Sequence, residues 1–116
     1  MMTYDNRRFR AVSNSPGGDV TATTTFHYRQ HGDIVWGTYE GGGVAFGTLL
    51  ATLGADGALD MRYQQVAVDG SRKAGRCRST PEPLADGRIR LHEQWTWTEG
   101  GTGGGTSVVE EIPAGG

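Results

Sequence analysis

The 116-residue sequence predicts an all-β fold: an eight-stranded up-and-down antiparallel barrel, single domain over 1–116. Three observations lead there. Most of the 20 glycines gather at Gly17-Gly18, Gly32, Gly41-Gly42-Gly43, Gly54 with Gly57, Gly70, Gly87 and Gly100 to Gly105, where they act as turn punctuation. The segments between them alternate and are rich in β-branched and aromatic residues. No window of ten or more residues carries helical periodicity. Strands joined in sequence by short turns form a meander, and closing it removes the exposed edges. An open sandwich is the alternative that the turn spacing leaves standing.

Each strand is bounded by its turn chemistry. The first runs from Tyr4 to Ser13 and stops at Ser13-Asn14-Ser15-Pro16-Gly17-Gly18. The second, Val20 to Gln30, is dense in threonine and aromatics and ends at His31-Gly32-Asp33. The third spans Ile34 to Glu40, and the fourth, Val44 to Leu53, follows the triple glycine. Asp56-Gly57 and Asp69-Gly70 are strong hairpin signals that bracket the fifth strand, Ala58 to Val68. The sixth, Ser71 to Thr80, is expected to end at Pro81-Glu82-Pro83, because proline cannot join a central ladder. Asp86-Gly87 leads into the seventh, Arg88 to Thr98. Gly100 to Gly105 is of low complexity and is expected to be a flexible turn. The eighth strand is Thr106 to Ile112, followed by a frayed tail at 113–116.

Composition narrows the function. A hydrophobic content of 35% is low, yet a barrel whose strands give one face to water tolerates it. A net charge of −2 and a pI near 5.8 argue against a nucleic-acid or membrane-surface partner. The single cysteine, Cys77, excludes an internal disulfide. The first ten residues carry three arginines and no apolar run, so neither a secretory signal nor a membrane span is expected, and the cytoplasm is the default compartment.

Alternation sorts the faces. In the seventh strand Ile89, Leu91, Glu93, Trp95 and Trp97 share one side. The fifth puts Leu59, Met61, Tyr63 and Gln65 together, the second Ala22, Thr24, Phe26 and Tyr28, and the sixth Gly75, Cys77 and Ser79. The third and fourth strands are ambiguous, with apolar residues on both faces. The expected interior is Tyr28, Trp36, Tyr63, Gln65, Cys77, Glu93, Trp95 and Trp97, and these are the candidate ligand-binding residues. A barrel of about eight strands is either filled by side chains or holds one small ligand. The small residues on the sixth strand favour a pocket.

Glu93 is the most informative residue. An ionised, unpaired carboxylate among Leu91, Trp95 and Trp97 is costly, so it is paired or its pKa is raised. It either anchors a polar ligand group or acts as an acid or base, or else it pairs with an inward Arg8 or Arg10 as a structural lock. Arg76, Arg78, Arg88 and Arg90 on adjacent strands would form one basic patch if all face out, or a solvated surface interleaved with Asp60 and Glu82. Cys77 is either a nucleophile or a small buried hydrophobe. His27, His31 and His92 lack metal-ligand spacing, so no metal and no cofactor is expected.

Several segments together carry a resemblance: Asn6 to Ser15, Gly75-Arg76-Cys77-Arg78-Ser79, Asp86-Gly87-Arg88 and Glu93-Gln94-Trp95-Thr96-Trp97. Over most of its length the chain resembles a family of small bacterial β-proteins often labelled N-acetylglutamate synthase. That resemblance implies acetyl transfer from acetyl-CoA to glutamate, with Glu93 as general base. Gly37-Thr38-Tyr39-Glu40 and Arg88 to Trp95 are also similar to strand segments of avidins, eight-stranded biotin-binding barrels of the calycin type. There Trp95 lands on a ligand-lining position. The readings that follow are a barrel binding a small organic ligand inside, an N-acetyltransferase, or an interaction protein with a filled core. The expected partner is a small-molecule ligand, with no nucleic acid and no membrane, and homo-oligomerisation stays open.

Overall fold

A computed structural model describes residues 3–113. It is a closed antiparallel barrel of eight strands in sequence order. These are β1 (Arg7–Asn14), β2 (Thr25–His31), β3 (Ile34–Gly41), β4 (Val44–Leu53), β5 (Leu59–Ala67), β6 (Arg72–Pro83), β7 (Ile89–Glu99) and β8 (Gly104–Glu111). Closure comes from β1 pairing with β8, with Phe9 opposite Glu111 and Ala11 opposite Val109. A bulge between Ala11 and Ser13 leaves Val12 out of the ladder and on the surface. No open edge remains in the sheet.

Three turns at successive hairpins share one hydrogen-bond pattern. In residues 54–58, 67–71 and 84–88 a small apolar residue and Asp-Gly lie between the two closing residues. Gly54, Ala67 and Leu84 donate their amides to the carbonyls of Ala58, Ser71 and Arg88 at 2.8–2.9 Å. The carboxylates of Asp56, Asp69 and Asp86 accept the amides of those same three residues at 2.9–3.1 Å. Each intervening glycine has φ between 82° and 88°, a conformation L-residues rarely adopt. The periodic glycines are thus the register pins of the meander.

The lower half of the barrel is filled. Tyr4 turns across its base and donates its hydroxyl to the Gly57 carbonyl at 2.8 Å. Phe9, Tyr28, Val35, Leu59, Ile89, Leu91 and Val109 are fully buried above it. Each large apolar side chain removed from water in this way contributes about 1.5–3 kcal/mol.

Several expectations require correction. Trp36 is not interior; it is 40% exposed on the outer face, directly opposite Leu50. β3 is set by Val35, Gly37 and Tyr39 facing inward, and period-two alternation then sends Trp36 out. β2 begins at Thr25 rather than Val20, because the preceding threonines satisfy backbone groups locally. Thr24 Oγ1 accepts the Thr21 amide and donates to the Gly41 carbonyl, both at 2.9 Å. β6 continues through Pro83. Leu84 donates to Arg88 of the β7 side, so the amide positions of Pro81 and Pro83 point to the other side, where β5 pairing has stopped at Ser79. Gly104 and Gly105 belong to β8, opposite Thr96 and Trp95, rather than to a turn. A Cβ on Gly105 would lie 2.7 Å from Ser15 and 2.9 Å from the Trp95 indole, so glycine is needed for that packing. Of the tail expected at 113–116, residues 114–116 lie outside the described residues.

Candidate functional site

The upper half of the barrel is not filled. A cavity of about 60 Å³ opens there, between the inward rows of β2 to β8 and the β1–β2 connection. That is several times the roughly 10–15 Å³ of probe-occupied space that one water needs. Its walls are aromatic and its floor is polar.

Two glycines shape the walls. A Cβ on Gly47 would strike the Tyr39 ring, and one on Gly75 would strike the Tyr63 hydroxyl and ring. Their absence lets both tyrosines lie against the sheet. Tyr63 meets Trp97 edge-on at 5.7 Å, and Trp97 meets Trp95 at the same centroid distance. Phe26 stacks on Tyr39 at 5.1 Å. Such pairs add about 0.5–1.5 kcal/mol each beyond burial.

The β1–β2 connection is stitched over the mouth. Trp95 Nε1 donates to Asn14 Oδ1 at 2.9 Å and Trp97 Nε1 to the Gly17 carbonyl at 3.1 Å. Asp19 Oδ2 accepts from both Gln65 Nε2 and Lys73 Nζ at 3.0 Å. Gln65 Oε1 in turn accepts the Tyr39 hydroxyl at 3.0 Å. Lys73 Nζ also sits 5.0 Å from the Trp97 ring centroid, a cation–π contact at the rim.

Glu93 lies at the floor, with Ser79 opposite it on β6 and Ser107 opposite it on β8. Ser107 Oγ donates to Glu93 Oε1 at 2.9 Å and Ser79 Oγ to Oε2 at 3.0 Å. Burial pushes the Glu93 pKa above the ordinary carboxylate value, and the two seryl hydrogen bonds pull it partway back. Among the described residues no salt bridge reaches Glu93, so the lock with Arg8 or Arg10 does not form. Phe9 takes the inward position on β1 and sends both arginines outward. Cys77 Sγ is 3.5 Å from Ser79 Oγ, and burial drives its thiol well above the usual range, so it carries no thiolate. The Tyr28 hydroxyl is buried and has no hydrogen-bond partner among the described residues. A buried polar group without a partner is costly.

Seven of the eight residues read from the sequence line this one cavity: Tyr28, Tyr63, Gln65, Cys77, Glu93, Trp95 and Trp97. Trp36 does not. Sequence reasoning missed Asn14, Asp19, Tyr39 and Ser107 as lining residues. Tyr39 and Ser107 obey strand parity once β3 and β8 are placed; Asn14 lies at the end of β1 and Asp19 on a loop, which has no period to read. The proposed four-arginine patch does not form. Arg78 lies opposite Gln94 and Arg90 opposite Glu82, while Arg88 and Arg90 both bind Glu110 at 3.0–3.1 Å. Among the described residues no three His, Cys, Asp or Glu side chains gather to hold a metal.

The chain is thus a closed eight-strand meander, packed at one end and with a small cavity at the other. Residues 2–112 match the family model described as avidin-like protein, and the chain belongs to that family. No curated protein and no solved structure matches the chain.

Proposed function

We propose that this protein binds a small organic molecule in the upper half of its barrel. The observation that carries the reading is the Tyr28 hydroxyl, buried without a partner beside an aromatic-walled cavity. A ligand polar atom there would remove the cost of the orphan, and ring surfaces would supply apolar contact. The avidin-like family membership agrees with this use of the barrel.

Acetyl transfer has less in its favour. Acetyl-CoA is far larger than a cavity of about 60 Å³, and the described residues form no helix whose N-terminus would take its pyrophosphate. The test is native mass spectrometry of protein purified from cells, paired with an assay of CoA release from acetyl-CoA and glutamate. A co-purifying small molecule without CoA release is expected. Turnover lost in Glu93→Gln would replace binding by catalysis.

A further inference from the structure

Among the described residues the cavity's lining offers two acids, Asp19 and Glu93, and no lysine, arginine or histidine. The nearest ammonium, Lys73, is spent at the rim on Asp19 at 3.0 Å and does not line the cavity. Glu93 has only neutral hydroxyl partners. Both indole N–H groups are taken, by Asn14 at the end of β1 and by the Gly17 carbonyl, so what Trp95 and Trp97 still offer is ring surface. The Tyr28 hydroxyl, without a partner among the described residues, has both its O–H and its lone pairs free, and the lone pairs can take a further N–H.

Resting on the reading of this cavity as a ligand site, we infer that its ligand is a small primary amine bound as the ammonium ion. Glu93 supplies the counter-charge, Tyr28 Oη accepts a second N–H, and Tyr63, Trp95 and Trp97 surround the cation with ring surface. A quaternary ammonium would satisfy the rings and the carboxylate but leave Tyr28 unpartnered. An alcohol would satisfy Tyr28 but leave the carboxylate without its cation. An anion would find no cation among the described lining residues and would meet ionised Glu93 with like charge.

Binding is also linked to a proton. Where Glu93 is neutral, the amine cation enters, the carboxyl proton leaves to solvent, and the ion pair remains. The titratable groups that face Glu93 are Tyr28 from β2, Tyr39 from β3, Tyr63 from β5 and Cys77 from β6. Burial pushes every one of them upward, so all stay neutral through the working range. Asp19 faces the mouth and is held by Lys73. Glu93 is therefore the group that releases the proton.

The probes are propylamine, propan-1-ol, propanoate and trimethylpropylammonium, titrated against the intact protein by tryptophan fluorescence and by calorimetry in two buffers of different ionisation enthalpy. Propylamine is expected to bind at least about tenfold tighter than the other three. Below the Glu93 pKa one proton should be released per amine bound. Glu93→Gln should abolish that release and the preference over propan-1-ol. Tyr28→Phe, which keeps the ring, should narrow the gap between propylamine and its trimethyl analogue. Propan-1-ol or propanoate binding as tightly as propylamine would overturn the amine assignment while leaving the cavity a ligand site. Binding of none of the four would overturn both.

Discussion

Ser79 and Glu93 face each other across the β6–β7 ladder and share a 3.0 Å hydrogen bond inside the barrel. The pair explains how a carboxyl group is kept in an interior with no cation beside it. Two seryl hydroxyls replace part of its lost hydration. That replacement is incomplete, and the group's pKa stays raised.

Stability should therefore carry a signature of Glu93. Its folded pKa lies above the unfolded value of roughly 4.3 for glutamate. Between those two values the folded state holds more protons than the unfolded state, so this group's contribution falls as pH rises through the window. The exposed acids Asp5, Asp56, Asp69, Asp86 and Glu82 have lowered pKa values and act in the opposite sense, losing stability in more acidic solution. The difference in melting temperature between wild type and Glu93→Gln isolates the first effect. Wild type should gain on the variant as pH falls through the raised folded pKa toward the unfolded value. A difference independent of pH would mean that Glu93 titrates normally.

The three tryptophans should divide two to one. Trp36 stands on the outer face of β3, whereas Trp95 and Trp97 are nearly enclosed. Acrylamide should quench one accessible class and spare another in wild type. In Trp36→Phe the accessible class should vanish with little change in stability, since the ring packs on the surface beside Leu50. Persistence of an accessible class in that variant would mean that the mouth admits the quencher to Trp95 or Trp97.

Trp36 also marks where the sequence was legible. In the strands beginning at Leu59, Arg72 and Ile89 one face is apolar or small and the other charged, and period two reads off directly. In β3 and β4 the outer face carries Ile34, Trp36, Phe46 and Leu50, so hydrophobicity no longer labels the interior. There Gly37 and Gly47 decide the orientation. A Cβ on Gly37 would strike the backbone of His27 across the ladder, and one on Gly47 the Tyr39 ring. Those are tertiary constraints, invisible along one strand. The same holds for the site. Glu93 stood out as a charge on an apolar row, but its partner Ser107 comes from β8, and only the β7–β8 register across the glycine-rich connection brings it opposite.

Gly75→Ala tests how tightly the aromatic wall is fitted. Its Cβ would meet the Tyr63 ring and lie 2.6 Å from the Thr96 carbonyl, which is backbone and does not yield. Overpacking of this kind costs about 1–3 kcal/mol. Urea denaturation should show that loss. The displaced Tyr63 should also change the near-ultraviolet signal it shares with Trp97 through their 5.7 Å edge contact. Wild-type stability with an unchanged spectrum would mean that Tyr63 lies elsewhere.

Asp19→Asn tests the latch over the mouth. The carboxylate joins three parts of the barrel: its own connection between β1 and β2, Gln65 on β5 and Lys73 on β6. Asp19 and Lys73 side chains are only 25% and 23% exposed, so solvent screens the pair less than an open surface bridge. Asparagine can still accept one hydrogen bond but brings no charge to Lys73. Hydrogen bonds to charged groups contribute about 1.5–3 kcal/mol, and the loss should fall near the lower end because one partner is retained. The decisive readout is local. The indole N–H groups of Trp95 and Trp97 donate to Asn14 and to the Gly17 carbonyl, so the connection is held at its start and middle independently of Asp19. Amide exchange should therefore quicken around Gly18 to Thr21, while the two indole N–H protons stay protected. Uniform acceleration across the barrel would make Asp19 a global stabiliser. Release of the indole protons as well would show that the whole connection lifts as one body, with the carboxylate as its main fastening.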